Sequence, residues 1–149
     1  MTHDAGFSIV EIVIVVLVGA LLVAIGLPVA EGYIDRTRVA QAVVDVGDMS
    51  KSLRQIDRST GALPATLAEV GLDGKIDPWG RPYAYLNLRL GGGQPRKDKA
   101  LRPLNSDFDL YSVGKDGDSR ASLLHPTSRD DVIRARDGAF IGTASEFDP

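Results

Sequence analysis

The chain has 149 residues, 44% of them hydrophobic and 25% charged. Once its most apolar segment is set aside, about 115 residues remain, enough for one small domain with one core and too few for a second. A formal net charge of -3 supplies no general attraction for nucleic acid or anionic lipid, and the absence of cysteine excludes disulfides and cysteine-based zinc sites. There is no internal repeat at a period of roughly 20 to 50 residues and no long low-complexity tract.

The first element is the apolar run inside Gly6 to Ala30. From Ile12 to Ala30 no side chain is charged, and at about 1.5 Å per residue the run spans roughly 28 Å, close to the hydrocarbon thickness of a bilayer. It reads as a transmembrane helix. A cleaved secretory signal fits less well, because the run is too long and its only basic candidate is His3. A plain signal anchor would account for the hydrophobicity but not for Glu11 at its front edge, where an unpaired ionisable group costs roughly 2.5 to 3.5 kcal/mol. Cutting the chain between Gly6 and Phe7 would create an α-amino group about one helical turn from Glu11, or within reach of the Glu11 of a neighbouring copy.

Beyond Pro28, residues 31–60 place Val39, Val43, Val46, Met49, Leu53 and Ile56 three or four apart, the apolar face of an amphipathic helix that stops at Thr60-Gly61. Gly26, Pro28 and Gly32 mark a place for a kink or local melting. Thr66 and Glu69 have capping-box spacing for a short helix ended by Gly71, and Asp77-Pro78-Trp79-Gly80 reads as a tight turn. A strand is expected over Tyr83–Leu90, with Ala84, Leu86, Leu88 and Leu90 covering the helix and Tyr83, Tyr85, Asn87 and Arg89 facing away. A second is expected over Asp107–Val113, with Phe108 and Leu110 on one side. Gly91-Gly92-Gly93 lacks the Lys-Ser or Lys-Thr pair of a phosphate loop and reads as a hairpin loop. Arg96, Lys97, Lys99 and Arg102 are interrupted by Asp98 and lack interleaved aromatics, so nucleic-acid binding is not expected. Trp79 is expected to lie as a lid on the core, the alternative being a ligand-stacking role.

The C-terminal part is acidic. Asp116 and Asp118 lie in Gly114-Lys115-Asp116-Gly117-Asp118-Ser119, and Asp130 and Asp131 precede Val132. Calcium takes six to eight oxygens at roughly 2.3 to 2.6 Å. Glycine-rich acidic loops supply such donors, but solvated turns have the same composition, and Arg120 breaks the EF-hand pattern. No catalytic constellation is legible. His125 beside Pro126 has no sequence-placed partner that would activate a nucleophile, so an enzyme is not expected.

Gly6-Phe7-Ser8-Ile9-Val10-Glu11 followed by an apolar helix resembles the N-terminal signal of type IV pilins and type II secretion pseudopilins. That resemblance implies an α+β pilin-like fold, a long N-terminal helix packed on a small antiparallel sheet, divided as leader 1–6, transmembrane half 7–30, amphipathic half 31–60 and globular part 61–149. It further implies cleavage between Gly6 and Phe7 by a prepilin peptidase, N-methylation of Phe7, and a requirement for Glu11 in assembly. Asp77-Pro78-Trp79-Gly80, Phe108-Asp109-Leu110, Gly114-Lys115-Asp116-Gly117 and Asp130-Asp131-Val132 are similar to motifs of the major pseudopilins. These imply a structural calcium held by Asp116 and Asp130, with Asp131 and Asp118 as further ligands, although the stretch from Asp116 to Asp130 is longer than in that pattern. The implied function is that of a structural subunit of a type II secretion pseudopilus, polymerising through its N-terminal helix into a filament. Its implied partners are minor pilins or pseudopilins and the inner-membrane platform and ATPase, and its location the bacterial inner membrane with the soluble part in the periplasm. The alternatives are a type IV pilus subunit and a membrane-anchored periplasmic binding module that never polymerises.

Overall fold

The computed structural model describes residues 8–147, with the backbone alone at 28–30. The leader 1–6, Gly6 and Phe7 therefore lie outside the described residues. The chain divides into two units, Met1–Thr37 and Arg38–Pro149.

Helix α1, Ile9–Thr60, is 52 residues long. Its start is set at Ser8, whose carbonyl accepts the N–H groups of Glu11 and Ile12. Glu11 sits in the first turn, where the positive end of the helix dipole favours a carboxylate. Within the first unit every large apolar side chain described from Ile9 to Leu27 is exposed, from 51% at Val13 to 80% at Ile9. By length and composition this part of the helix is apolar enough to cross a membrane, compatible with a single-pass anchor. The helical backbone is unbroken through Gly26, Pro28 and Gly32.

In the second unit the amphipathic pattern is realised. Ala42, Val46, Met49 and Leu53 are buried, four, three and four residues apart, with Val39 and Val43 at the margin. A fully buried side chain of this size contributes about 1.5 to 3 kcal/mol. The helix ends as expected: the Gly61 N–H bonds the Asp57 carbonyl at 2.8 Å, and the Thr60 hydroxyl folds back on the Ile56 carbonyl at 2.8 Å. A 3-10 turn follows at Leu67–Val70, in which the expected capping box does not form and Glu69 reaches one residue further back. The Thr66 side chain makes no cap bond, whereas the Glu69 carboxylate accepts the Ala65 N–H at 3.0 Å.

The sheet has four antiparallel strands in sequence order: β1 Ala84–Asn87, β2 Phe108–Ser112, β3 Val132–Ala135 and β4 Phe140–Thr143. Phe108, Leu110 and Val132 pack with the helix residues, while Ile133 and Ala135 join Leu104, Leu123, Ala144 and Phe147 in a second cluster. Alternation along β3 thus buries both of its faces.

Two expectations are corrected. The first strand is shorter than Tyr83–Leu90 and its faces are exchanged: Tyr83 and Asn87 are buried and Tyr85 packs on the core, while Leu90 is exposed. The tyrosines win the inner face because their hydroxyls find acceptors there, Tyr83 on Asp45 at 3.0 Å and Tyr85 on the Pro64 carbonyl at 2.8 Å. Asn87 likewise donates to the carbonyls of Leu63 and Pro64. Second, Asp131 does not lie in an open acidic loop, since it leads directly into β3 and is fully buried.

Candidate functional site

Two regions carry the expected functional residues. At the N-terminal one, Glu11 stands exposed on an exposed apolar helix, and Phe7, its expected counter-charge, lies outside the described residues.

The acidic region is built on the Asp77 turn. The Asp77 carboxylate accepts the N–H groups of Trp79 at 3.0 Å and Arg81 at 2.8 Å, and it also accepts the Ser112 hydroxyl. This clamps the turn to the end of β2 and aims Arg81 at the loop that follows. Trp79 itself packs on the core, as expected of a lid. Arg81 then donates to the carbonyls of Gly114 at 2.8 Å and Lys115 at 3.4 Å. Gly114 and Gly117 have φ of 68° and 76°. A Cβ at Gly114 would meet the Asp130 backbone, so that position requires glycine for space as well as conformation, whereas one at Gly117 would meet the movable Arg81 guanidinium, so there glycine is required by the positive φ.

From the opposite side Asp130 caps the same loop. Its Oδ2 accepts the N–H groups of Lys115 at 2.7 Å and Asp116 at 3.0 Å. The Asp116 carboxylate turns back to the Asp118 N–H at 2.9 Å, and Asp118 lies 3.7 Å from Arg120. Asp131 points elsewhere: its Oδ2 meets Arg96 Nη2 at 2.6 Å and accepts the Ser119 hydroxyl at 2.6 Å. Burial pushes the Asp131 carboxyl up to about 6, against the opposing pull of Arg96 and Ser119. Arg96 is equally enclosed. Its Nη1 donates to Ser119 at 2.6 Å, its guanidinium lies 4.1 Å from the centre of the Tyr111 ring, and its backbone N–H binds Asp109 at 2.7 Å. Among the described residues Trp79 Nε1 is buried without a hydrogen-bond partner, and so are Asp131 Oδ1 and Arg96 Nε. The last two belong to a pair already joined by one bond, so closing the second bond of a bidentate fork would satisfy both.

These residues do not fit a calcium ion as arranged. Among the described residues no three Asp, Glu or His side chains converge on one point. Asp116 and Asp130 share the loop as expected, but Asp130 Oδ2 and Asp116 Oδ1 accept backbone N–H groups. The carbonyls of Gly114 and Lys115 face Arg81, and Asp131 is held by Arg96. Sequence reasoning missed both arginines. Arg96 was legible only as part of a broken basic tract, and nothing in that tract signals burial. His125 is exposed, with its Nδ1 2.8 Å from the Thr127 hydroxyl.

Taken together, the long helix with a bare apolar half and the small antiparallel sheet packed on its other half give the chain a pilin-like α+β fold. No family model and no solved structure matches the chain. Among curated proteins it is 26% identical to the type II secretion system core protein G of Pseudomonas aeruginosa over 138 aligned residues, covering 77% of this chain and 86% of that one. It is 21% identical to a fimbrial protein of Neisseria meningitidis over 149, covering 97% and 86%. These two similarities, with the fold, support a resemblance to the type IV pilin and type II secretion pseudopilin superfamily, and of the two relatives the chain is more similar to core protein G.

Proposed function

We propose that the chain is a structural subunit of a type II secretion pseudopilus, cleaved between Gly6 and Phe7, N-methylated on Phe7 and polymerised through the apolar half of α1. The observation that carries this reading is the uncovered helix from Ile9 to Leu27 with a single carboxylate, Glu11, at its front edge. Such a surface needs lipid before assembly and protein afterwards. In lipid Glu11 is costly. In a filament it pairs with the Phe7 amine of an adjacent copy, which offsets that cost. The subunit would wait in the bacterial inner membrane with its Arg38–Pro149 unit in the periplasm. A prepilin peptidase would process it, and minor pseudopilins, a platform protein and a cytoplasmic ATPase would serve assembly.

Mass spectrometry of the mature protein tests the processing: a mass equal to Phe7–Pro149 plus one methyl group is expected, and an intact N-terminus refutes it. Glu11→Ala is expected to yield processed but unassembled protein, and normal filaments from this variant refute the role of Glu11. A type IV pilus subunit is the second reading, favoured by the match to the fimbrial protein over 97% of this chain. A deletion strain separates the two, since loss of secreted enzymes with intact surface pili supports the pseudopilus and the reverse supports the pilus.

A further inference from the structure

We propose that the acidic loops of this subunit are held by two built-in cations, the guanidinium groups of Arg81 and Arg96, so that the 112–131 region folds without a divalent metal. A metal ion in such a region would have three tasks: to turn loop carbonyls inward, to neutralise buried carboxylate, and to tie the loop after β2 to the start of β3. Each task has an arginine. Arg81 gathers the carbonyls of Gly114 and Lys115, and the glycine at 117 leaves the space its guanidinium fills. Arg96 neutralises Asp131, which is wholly buried at the entry to β3, and bonds Ser119 in the loop through a second nitrogen. Ser119 closes the triangle by donating to the same carboxylate oxygen.

Both cations are themselves positioned. Arg81 follows the Asp77 turn, and Arg96 is anchored by its own backbone N–H on buried Asp109 and by the face of Tyr111. The remaining carboxylates need no metal either, because Asp130 is saturated on one oxygen by two loop N–H groups and Asp116 caps Asp118. A planar guanidinium with fixed donors holds such a site in one geometry, whereas a lysine in its place would supply charge without the fork. The inference rests on these contacts alone and stands whether the filament is a pseudopilus or a pilus.

The test is thermal unfolding of the full chain in detergent, followed by circular dichroism, in excess EGTA and in millimolar calcium chloride. The expected midpoints coincide, and Arg96→Ala is expected to lower the midpoint by about 10 °C or more, because the buried Asp131 carboxylate loses the cation that pairs with it. Arg96→Lys should recover part of that loss, and Arg81→Ala should lower the midpoint by a few degrees, roughly. A wild-type midpoint several degrees higher in calcium than in EGTA overturns the proposal, as does an Arg96→Ala midpoint equal to wild type. If Arg96→Ala does not fold, the comparison of the wild type in EGTA and calcium decides alone.

Discussion

Arg134 is the largest fully buried side chain among the described residues, and its replacement is the sharpest test of how the helix is locked to the sheet. From the middle of β3 it forms a fork with Asp107, Nη1 to Oδ1 and Nη2 to Oδ2 both at 2.7 Å. The Nη1 group also donates to the Phe108 carbonyl at 2.8 Å, Nε donates to Ser50 of α1 at 3.0 Å, and the guanidinium stacks 3.9 Å from the Phe108 ring centre. Removing one partner of a buried ion pair costs about 3 to 5 kcal/mol. The Asp107 side chain keeps 17% exposure, so water recovers part of its solvation and the lower end applies. Arg134→Met keeps most of the stem volume and is expected to cost about 3 kcal/mol. Arg134→Ala adds a cavity beside Phe108 and Ser50 and is expected to cost about 4 to 5 kcal/mol. Guanidinium chloride unfolding of the detergent-solubilised chain, read by helical circular dichroism, measures both. A Met variant within about 0.5 kcal/mol of wild type would show that the polar contacts are offset by the cost of burying them and would refute the reasoning. A double-mutant cycle with Asp107→Asn should return a coupling of about 1 kcal/mol or more.

Two further outcomes follow from local geometry. Gly117→Ala, which strains the backbone at φ 76° and displaces the Arg81 guanidinium, should destabilise by about 1 to 3 kcal/mol, whereas Gly74→Ala, with open space around its position, should stay within about 0.5 kcal/mol; equal effects would argue against that strain. Burial alone would raise the Asp45 carboxyl, but bonds from Lys75, Tyr83 and Gln41 hold it below the ordinary carboxylate range. A carboxylate depressed on folding stabilises the protein above its unfolded value of about 3.9 and loses that contribution as pH falls through the folded value. The stability gap between wild type and Asp45→Asn should therefore be present at neutral pH and shrink below about pH 4, measured as urea midpoints; a constant gap contradicts the assignment.

Helical periodicity was legible because it repeats over many turns, so the errors of single positions average out, and Val46, Met49 and Leu53 are where the pattern puts them. The strand faces were not. Over four residues, alternation says only that two faces differ, and β1 chooses the tyrosine face because acceptors contributed by Asp45 and Pro64, distant in sequence, await the hydroxyls. β3 and β4 were hidden for the same reason. Arg134 in the middle of β3 looks like a solvent-facing residue until Asp107 and Ser50, from two other parts of the chain, supply its partners. The acidic region shows the limit most clearly. Asp116, Asp118, Asp130 and Asp131 identify where negative charge gathers, but the identity of the counter-charge depends on where Arg81 and Arg96 fold.

The proposed filament places a final demand on Glu11. Lipid tails are as apolar as Leu or Val, so moving Ile9–Leu27 from bilayer to filament core brings little hydrophobic gain of its own. The group whose environment changes most is the carboxylate, unpaired in lipid at a cost of roughly 2.5 to 3.5 kcal/mol and paired in the filament. Glu11→Gln therefore separates charge from shape. It removes both the cost in lipid and the ionic pair while preserving size and hydrogen bonding. If pairing selects the filament, Gln should fail to assemble about as completely as Ala, with processing intact. Filaments in normal number from Glu11→Gln, set against their loss in Glu11→Ala, would mean that side-chain packing and not charge carries the contact.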